Sequence, residues 1–131
     1  MRRFQALLLL GALLAGSTVC LAGFRNARYQ VKRSAAKNTR TAAIVTVLEF
    51  EVNSEDVFPA RAVDPVLYIG DIEVREYRYT DTENKTLIFT CFEADKLKDN
   101  APVYLQYEND EATRTDLPPF RRDEVGKGWR R

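Results

Sequence analysis

The chain has 131 residues, 45% of them hydrophobic, with 20 Lys and Arg against 19 Asp and Glu and a net charge of +1. These figures suit one small globular domain and exclude a large multidomain enzyme, a low-complexity fibre and a polytopic membrane protein. The chain also lacks histidine, which removes the commonest general acid–base residue near neutral pH and most zinc sites.

The first 22 residues have the composition of a secretory signal peptide. Arg2 and Arg3 precede a leucine-rich apolar run, and small residues follow; this order is typical of such peptides. We predict cleavage after Ala22, so that the rest of the chain lies outside the cytoplasm. Two alternatives stay open. Cys20 is a candidate lipidation site, although Val19 stands where that signal has a small residue. The apolar run is also about long enough to be retained as a membrane anchor.

Charge is strongly segregated along the chain, which the near-neutral total hides. Residues 1–22 carry +2, residues 23–40 carry +6, residues 41–116 carry −10 and residues 117–131 carry +3. We therefore divide the chain into a signal segment, a basic arm, an acidic β domain and a basic tail.

The basic arm, residues 23–40, has few large apolar residues and no clean period, which favours a linker or a short helix. Its six cations are candidates for contact with an anionic envelope surface such as lipid, lipopolysaccharide or peptidoglycan. They are Arg25, Arg28, Lys32, Arg33, Lys37 and Arg40. The alternative is a solvated spacer, or an arm that folds back on the acidic domain. Nucleic acid is disfavoured as a partner, because the acidic domain would repel a phosphate backbone.

Between residues 41 and 116 the pattern is that of short strands. Gly70 and Asp71 suit a tight hairpin turn, and a change of apolar parity after Val74 indicates a bulge or bend near Arg75 and Glu76. Roughly five or six strands with turn residues between them predict an all-β fold, a small antiparallel sandwich. The apolar or alternating runs lie at residues 43–52, 66–69, 72–79, 87–92 and 103–107, and residues 93–100 favour one helical turn.

Cleavage after Ala22 would leave Cys91 as the only cysteine. It lies in an apolar run without a basic neighbour, so we predict a buried thiol rather than a reactive one.

In the basic tail, Pro118 and Pro119 end any regular element. Trp129 suits either a surface contact or a tethered end strand.

Three segments, residues 65–74, 85–90 and 97–107, together resemble the second half of immunoglobulin-like domains of the IPT/TIG kind. Those domains have a strand and glycine turn, an apolar strand ending in threonine, and a short loop before a last strand. The resemblance spans about residues 42–110. It implies an immunoglobulin-like adhesion or interaction module without catalytic residues, and it places Tyr104 as the corner tyrosine of the sandwich. Asn100 stands where that pattern has a glycine.

Candidate sites for chemistry are few. The oxygen-rich turns at residues 81–84 and 108–111 offer ligands for Ca²⁺ but lack the Asp-x-Asp-x-Asp-Gly order. Glu49 and Glu51 share a strand face and would serve a hydrolase only if they lined a cleft. Asn84 begins a glycosylation sequon, which matters only in a eukaryotic secretory pathway. We find no nucleotide loop or serine nucleophile motif, and we expect no cofactor and no metal.

These observations predict an exported, non-catalytic binding or structural module of a bacterial-type cell envelope, in the periplasm or at the cell surface. Its acidic domain would meet a protein partner, and its basic arm would meet an anionic surface. The alternatives are a small hydrolase that uses carboxylates and a calcium-dependent interaction module.

Overall fold

The computed structural model describes residues 24–56, 58 and 64–130. Its regular structure is almost entirely β, as the short apolar runs predict. The strands in chain order are β1 (Arg28–Lys37), β2 (Ile44–Asn53), β3 (Pro65–Ile69), β4 (Ile72–Val74), β5 (Tyr77–Tyr79), β6 (Thr86–Cys91), β7 (Val103–Tyr107) and β8 (Asp110–Leu117). Two short 3-10 turns, Ala94–Lys96 and Arg122–Glu124, complete it.

The strands form two antiparallel four-stranded sheets. Sheet I has the order β1-β2-β6-β5, and sheet II has the order β4-β3-β7-β8. β1 pairs with β2 along its whole length, from Arg28 opposite Asn53 to Lys37 opposite Ile44. β6 pairs with β2 only from Leu48 onward. Within the described residues, the first part of β2, residues 44–47, therefore has β1 as its sole partner strand.

Two turns predicted from the sequence are confirmed. Gly70 takes a φ of +59° and joins β3 to β4 together with Asp71, because glycine adopts positive φ without a steric penalty. At Arg75 and Glu76 the chain passes from sheet II to sheet I. The apolar parity changes there because β4 and β5 face the common core from different sheets.

Both sheets contribute side chains to one hydrophobic core. Burial of each aromatic or large aliphatic side chain stabilises the fold by about 1.5–3 kcal/mol. Cys91 lies in this core and is only 2% exposed. Burial also raises the pKa of its thiol. Cys91 is therefore a buried thiol, as predicted, and packs like a small apolar residue. The largest fully buried side chains are Tyr29, Tyr107, Phe50, Phe58, Phe89 and Phe120.

The basic arm is a strand, whereas its composition favoured a linker or a short helix. Arg28–Lys37 form β1, an edge strand of sheet I. Tyr29 and Val31 are buried in the core and alternate with less buried residues. Two buried positions in so short a run give a weak periodic signal, so pairing with β2 decides the conformation. The predicted boundary between the basic arm and the acidic domain, between residues 40 and 41, falls inside the turn that joins the paired strands β1 and β2.

The basic tail is attached to the body of the domain. Pro118 and Pro119 follow the end of β8, as predicted. Phe120 is fully buried, and the chain then returns along β1, where Tyr29 and Arg130 exchange backbone hydrogen bonds of 3.0 and 2.7 Å. The Tyr29 hydroxyl donates to the Pro118 carbonyl oxygen at 2.8 Å and accepts from Arg130 at 2.9 Å. Burial raises the pKa of Tyr29 to about 12, so this hydroxyl remains a donor at any physiological pH.

Several expectations concern residues outside the described ranges. The signal peptide, its cleavage after Ala22, lipidation of Cys20 and the retained anchor all fall on residues 1–22. Among the residues that the structure does describe, no helix combines the length and the apolar character needed to cross a bilayer.

Candidate interaction surface

Two of the six candidate cations form ion pairs near the start of β1. Arg25 Nε lies 3.0 Å from Asp56 Oδ1, and the Arg25 backbone N–H donates to the same carboxylate at 2.7 Å. That backbone hydrogen bond is the main reason why the pKa of Asp56 is lowered. Lys32 Nζ lies 3.7 Å from Glu51 on the neighbouring strand. Both cations are therefore partly neutralised within the domain.

A third cation, Arg28, packs on the outer side of the same region. Its Nε donates to Asn53 Oδ1 at 3.4 Å, and its guanidinium lies 4.4 Å from the centre of the Trp129 ring. Trp129 is therefore the tethered residue of a returning tail rather than a free aromatic side chain. It lies at the start of β1, next to the Tyr29–Arg130 bridge.

The remaining three cations, Arg33, Lys37 and Arg40, are exposed. Among the residues that the structure describes, no carboxylate forms an ion pair with any of them. Arg40 and Glu76 border the same depression of about 210 Å³ without forming an ion pair. No ion pair within the described residues therefore offsets the positive charge of these three exposed side chains.

The three unpaired cations lie together in the distal half of the β1–β2 hairpin. We call this segment, residues 33–46, the hairpin end. It contains no acidic residue, and its β2 half pairs with β1 alone in the described structure. Lys37 and Arg40 therefore lie on a two-stranded ribbon that extends past the four-stranded part of sheet I, and Arg33, opposite Leu48, lies at the base of that ribbon.

The turn of the hairpin end is organised around Asn38. Its side-chain Oδ1 accepts from the backbone N–H groups of Arg40 at 2.9 Å and Thr41 at 3.3 Å. Its backbone N–H donates to the Ala43 carbonyl and its carbonyl accepts from the Ala42 N–H, both at 2.8 Å. The Thr41 hydroxyl accepts from the Ala43 N–H at 3.3 Å. Asn and Thr side chains that bond their own backbone stabilise such turns.

Replacing Ala42 with glycine is expected to stabilise the protein. Ala42 has a φ of +61°, a left-handed conformation that costs an L-residue about 1–2 kcal/mol. Glycine relieves that cost but loses more chain entropy on folding, so we expect a net gain in the free energy of unfolding of about 0.5–1 kcal/mol. Urea unfolding followed by circular dichroism measures the change.

The neighbouring Ala43 provides the matched control. It is also exposed but has an ordinary φ, so Ala43→Gly should lower the free energy of unfolding by about 0.5–1 kcal/mol. Equal losses in the Ala42 and Ala43 variants would contradict the left-handed conformation of Ala42.

Apolar side chains are exposed beside the unpaired cations. Ile44 is 69% exposed, and Ala42 and Ala43 are also exposed. Ile44 lies directly opposite Lys37 in the strand register. The hairpin end thus presents positive charge and an apolar side chain on the same small surface.

The outer face of sheet II carries three stacked planar groups. Tyr68 and Tyr104 face each other across β3 and β7, with ring centres 4.7 Å apart and 13° between the ring planes. The Arg114 guanidinium lies 3.8 Å from the centre of the Tyr104 ring. Tyr104 alternates with the buried Val103 and Leu105 and so faces outward. It does not occupy the inward position that a corner tyrosine requires, which corrects the role implied by the resemblance.

Several of the carboxylates that the sequence offered for chemistry make structural contacts. Glu49 and Glu51 form separate ion pairs with Arg78 and Lys32 on the outer face of sheet I. Asp81 accepts a backbone N–H of its own turn at 3.1 Å, as solvated turns commonly do. In the described part of the chain, no three His, Cys, Asp or Glu side chains come close enough to hold a metal ion.

The sequence alone does not distinguish the six cations from one another. The structure does, because each group of cations has different contacts. A signal for this division exists in β2, whose acidic residues begin only at Glu49, far from the turn. Once β1 is known to pair with β2, Lys32 lies beside those acids and Arg33 lies beyond them. The alternation of Tyr29 and Val31 was the signal for the strand itself.

The candidate surface is thus defined by geometry and charge. In comparisons with known proteins, no family model, no curated protein and no solved structure matches this chain.

Proposed function

We propose that the chain is an exported, non-catalytic binding module of immunoglobulin-like architecture that associates with an anionic surface of the cell envelope. The observation that carries this proposal is the hairpin end, where Arg33, Lys37 and Arg40 have no acidic partner among the described residues. Export rests on the signal-like composition of residues 1–22.

The strand order supports the immunoglobulin-like part of the proposal. Such sandwiches place strands A, B, E and D in one sheet and C, F and G in the other, with C′ added beside C in larger members. Lettering the eight strands A, B, C, C′, D, E, F and G in chain order gives sheet I the order A-B-E-D and sheet II the order C′-C-F-G. The disulfide and buried tryptophan of antibody domains have no counterpart in β2, β3 and β7. Membership of the IPT/TIG kind stays a prediction.

The charge distribution supports the anionic-surface part. Each Lys or Arg close to an anionic membrane contributes about 1 kcal/mol of binding free energy. Within the described residues, Arg33, Lys37 and Arg40 form no ion pair that such contacts would have to break. Arg25 and Lys32 would first have to leave Asp56 and Glu51.

Sedimentation with lipid vesicles tests this function. We expect the purified protein to bind vesicles that contain phosphatidylglycerol more tightly than vesicles of phosphatidylcholine alone. The preference should disappear near 1 M salt, where the Debye length falls from about 10 Å to about 3 Å. The mass of the purified protein, measured first, shows whether residues 1–22 are present, since an apolar segment would bind both kinds of vesicle. Equal binding to both kinds at low salt would refute the proposal.

A further inference from the structure

The tip of the hairpin end combines features that suit contact with the interior of a bilayer as well as its surface. Ile44 is 69% exposed, against 39% for Tyr79 and 37% for Trp129. Its chain neighbours Ala42 and Ala43 are exposed too. A hydrophilic polyanion would leave these apolar groups in water, whereas the acyl boundary of a lipid bilayer would cover them.

Most backbone N–H groups of this tip already have hydrogen-bond partners inside the turn. The N–H groups of residues 38 and 40–43 all have hydrogen-bond acceptors within the turn, as described above. A backbone group that enters a bilayer without a partner is strongly disfavoured. Because these donors are already bonded, the tip can enter a less polar environment without losing them.

The cations are placed to remain at the headgroups when Ile44 enters the bilayer. Lys37 lies opposite Ile44, and Arg40 lies in the turn itself. Long cationic side chains keep their charged ends at the interface while their stems lie in the apolar layer. Glu76 is the acidic residue beside Arg40; it belongs to the crossing between the sheets and not to the hairpin.

We propose that the tip of the hairpin end, residues 40–45, inserts Ile44 into the acyl boundary of an anionic phospholipid bilayer while Lys37 and Arg40 bind lipid phosphates. This inference rests on the proposed function, because the cations bring the tip to the membrane. It also fixes an orientation. Tyr29 and Lys37 are eight positions apart on β1, about 26 Å at 3.3 Å per residue, so Trp129 beside the start of β1 stays in water.

A single-tryptophan protein tests the insertion. In the double variant Trp129→Phe and Ile44→Trp, we expect the emission to shift to the blue on addition of phosphatidylglycerol vesicles, and brominated lipid to quench it. The unaltered protein is the internal control, since its only tryptophan is Trp129 and its emission should not change. Ile44→Ser should weaken binding about tenfold with an unchanged salt dependence. Ile44 is exposed, so Ile44→Ser should keep the wild-type melting temperature, and the double variant should lose at most the small contribution of the Arg28–Trp129 contact.

The outcomes separate this inference from the function on which it rests. Failure of the unaltered protein to prefer anionic vesicles overturns both. Binding without a shift of the tryptophan at position 44 overturns insertion and leaves surface association intact. Quenching of Trp129 in the unaltered protein shows the opposite orientation and also overturns the inference. A concentration-dependent blue shift without lipid would mean that a second copy of the chain covers the tip, and would likewise overturn the inference.

Discussion

Replacing Phe120 with alanine is expected to lower the free energy of unfolding by about 3–5 kcal/mol, the usual cost of removing a buried phenylalanine side chain. Phe120 is fully buried, and its ring centre lies 5.9 Å from that of Phe50 in sheet I. Its backbone N–H donates to Ala101 at 2.9 Å, and its carbonyl accepts from Asn100 at 2.7 Å. The backbone is thus held in place, and the cavity left by the ring cannot close easily.

The measurement is urea unfolding followed by far-ultraviolet circular dichroism. Because this loss can approach the whole stability of a small domain, Phe120→Leu, which retains most of the apolar volume, should be measured beside it and should cost distinctly less. Trp129→Ala is the control from the same segment, since Trp129 is 37% exposed and its removal should cost at most about 1 kcal/mol. Similar small losses for Phe120→Ala and Trp129→Ala would show that the tail does not belong to the core.

Removal of the three unpaired cations is expected to weaken binding to anionic vesicles by roughly 100-fold. At about 1 kcal/mol for each cation near an anionic surface, changing Arg33, Lys37 and Arg40 to glutamine together removes about 3 kcal/mol. These side chains are exposed and lack an ion pair within the described structure, so the fold should be unaffected. Vesicle titration at fixed salt gives the ratio of affinities.

The matched control changes Arg25, Arg28 and Lys32 to glutamine. Both triple variants lower the net charge by the same amount, so a non-specific effect of charge would be equal in the two. Arg25 and Arg28 lie near the opposite end of β1, farther from the tip than the Debye length of about 10 Å at 0.1 M salt. We expect the control to weaken binding only a few-fold and to cost little stability, since exposed ion pairs contribute about 0–1 kcal/mol each. Equal weakening in both triple variants would show that the hairpin end is not the contact surface.

Because residues 23–40 include β1, binding by the basic arm should be tested with point substitutions rather than with a deletion. Deletion of residues 23–40 would remove an entire strand and the buried Tyr29 with it. A loss of binding after that deletion would report unfolding rather than the loss of a contact. Point substitutions on the exposed part of the strand leave the core intact and isolate the charge.

Several elements of the fold follow from local residue patterns. The central strand β6 is apolar on both faces, the turn at Gly70 needs a positive φ, and the parity change near Arg75 marks the crossing between the sheets. Each of these signals lies within a few neighbouring residues, and local sterics and alternation are enough to produce it. The Tyr104 corner, in contrast, was implied by resemblance alone, and the side-chain alternation of β7 turned that residue outward.

The sequence by itself determined the all-β class, the hairpin turn, the buried thiol of Cys91 and the segregation of charge along the chain. Only the tertiary structure decided that the basic arm is a strand, that Phe120 joins the core and that, among the described residues, two of the six cations form ion pairs while Arg33, Lys37 and Arg40 stay exposed. The physical reason is that these properties depend on residues brought together across the chain. Lys32 is paired because Glu51 lies on the adjacent strand. Arg33 lies opposite Leu48, beyond the acids of β2, and among the described residues it forms no ion pair, although Asp95 borders the same depression.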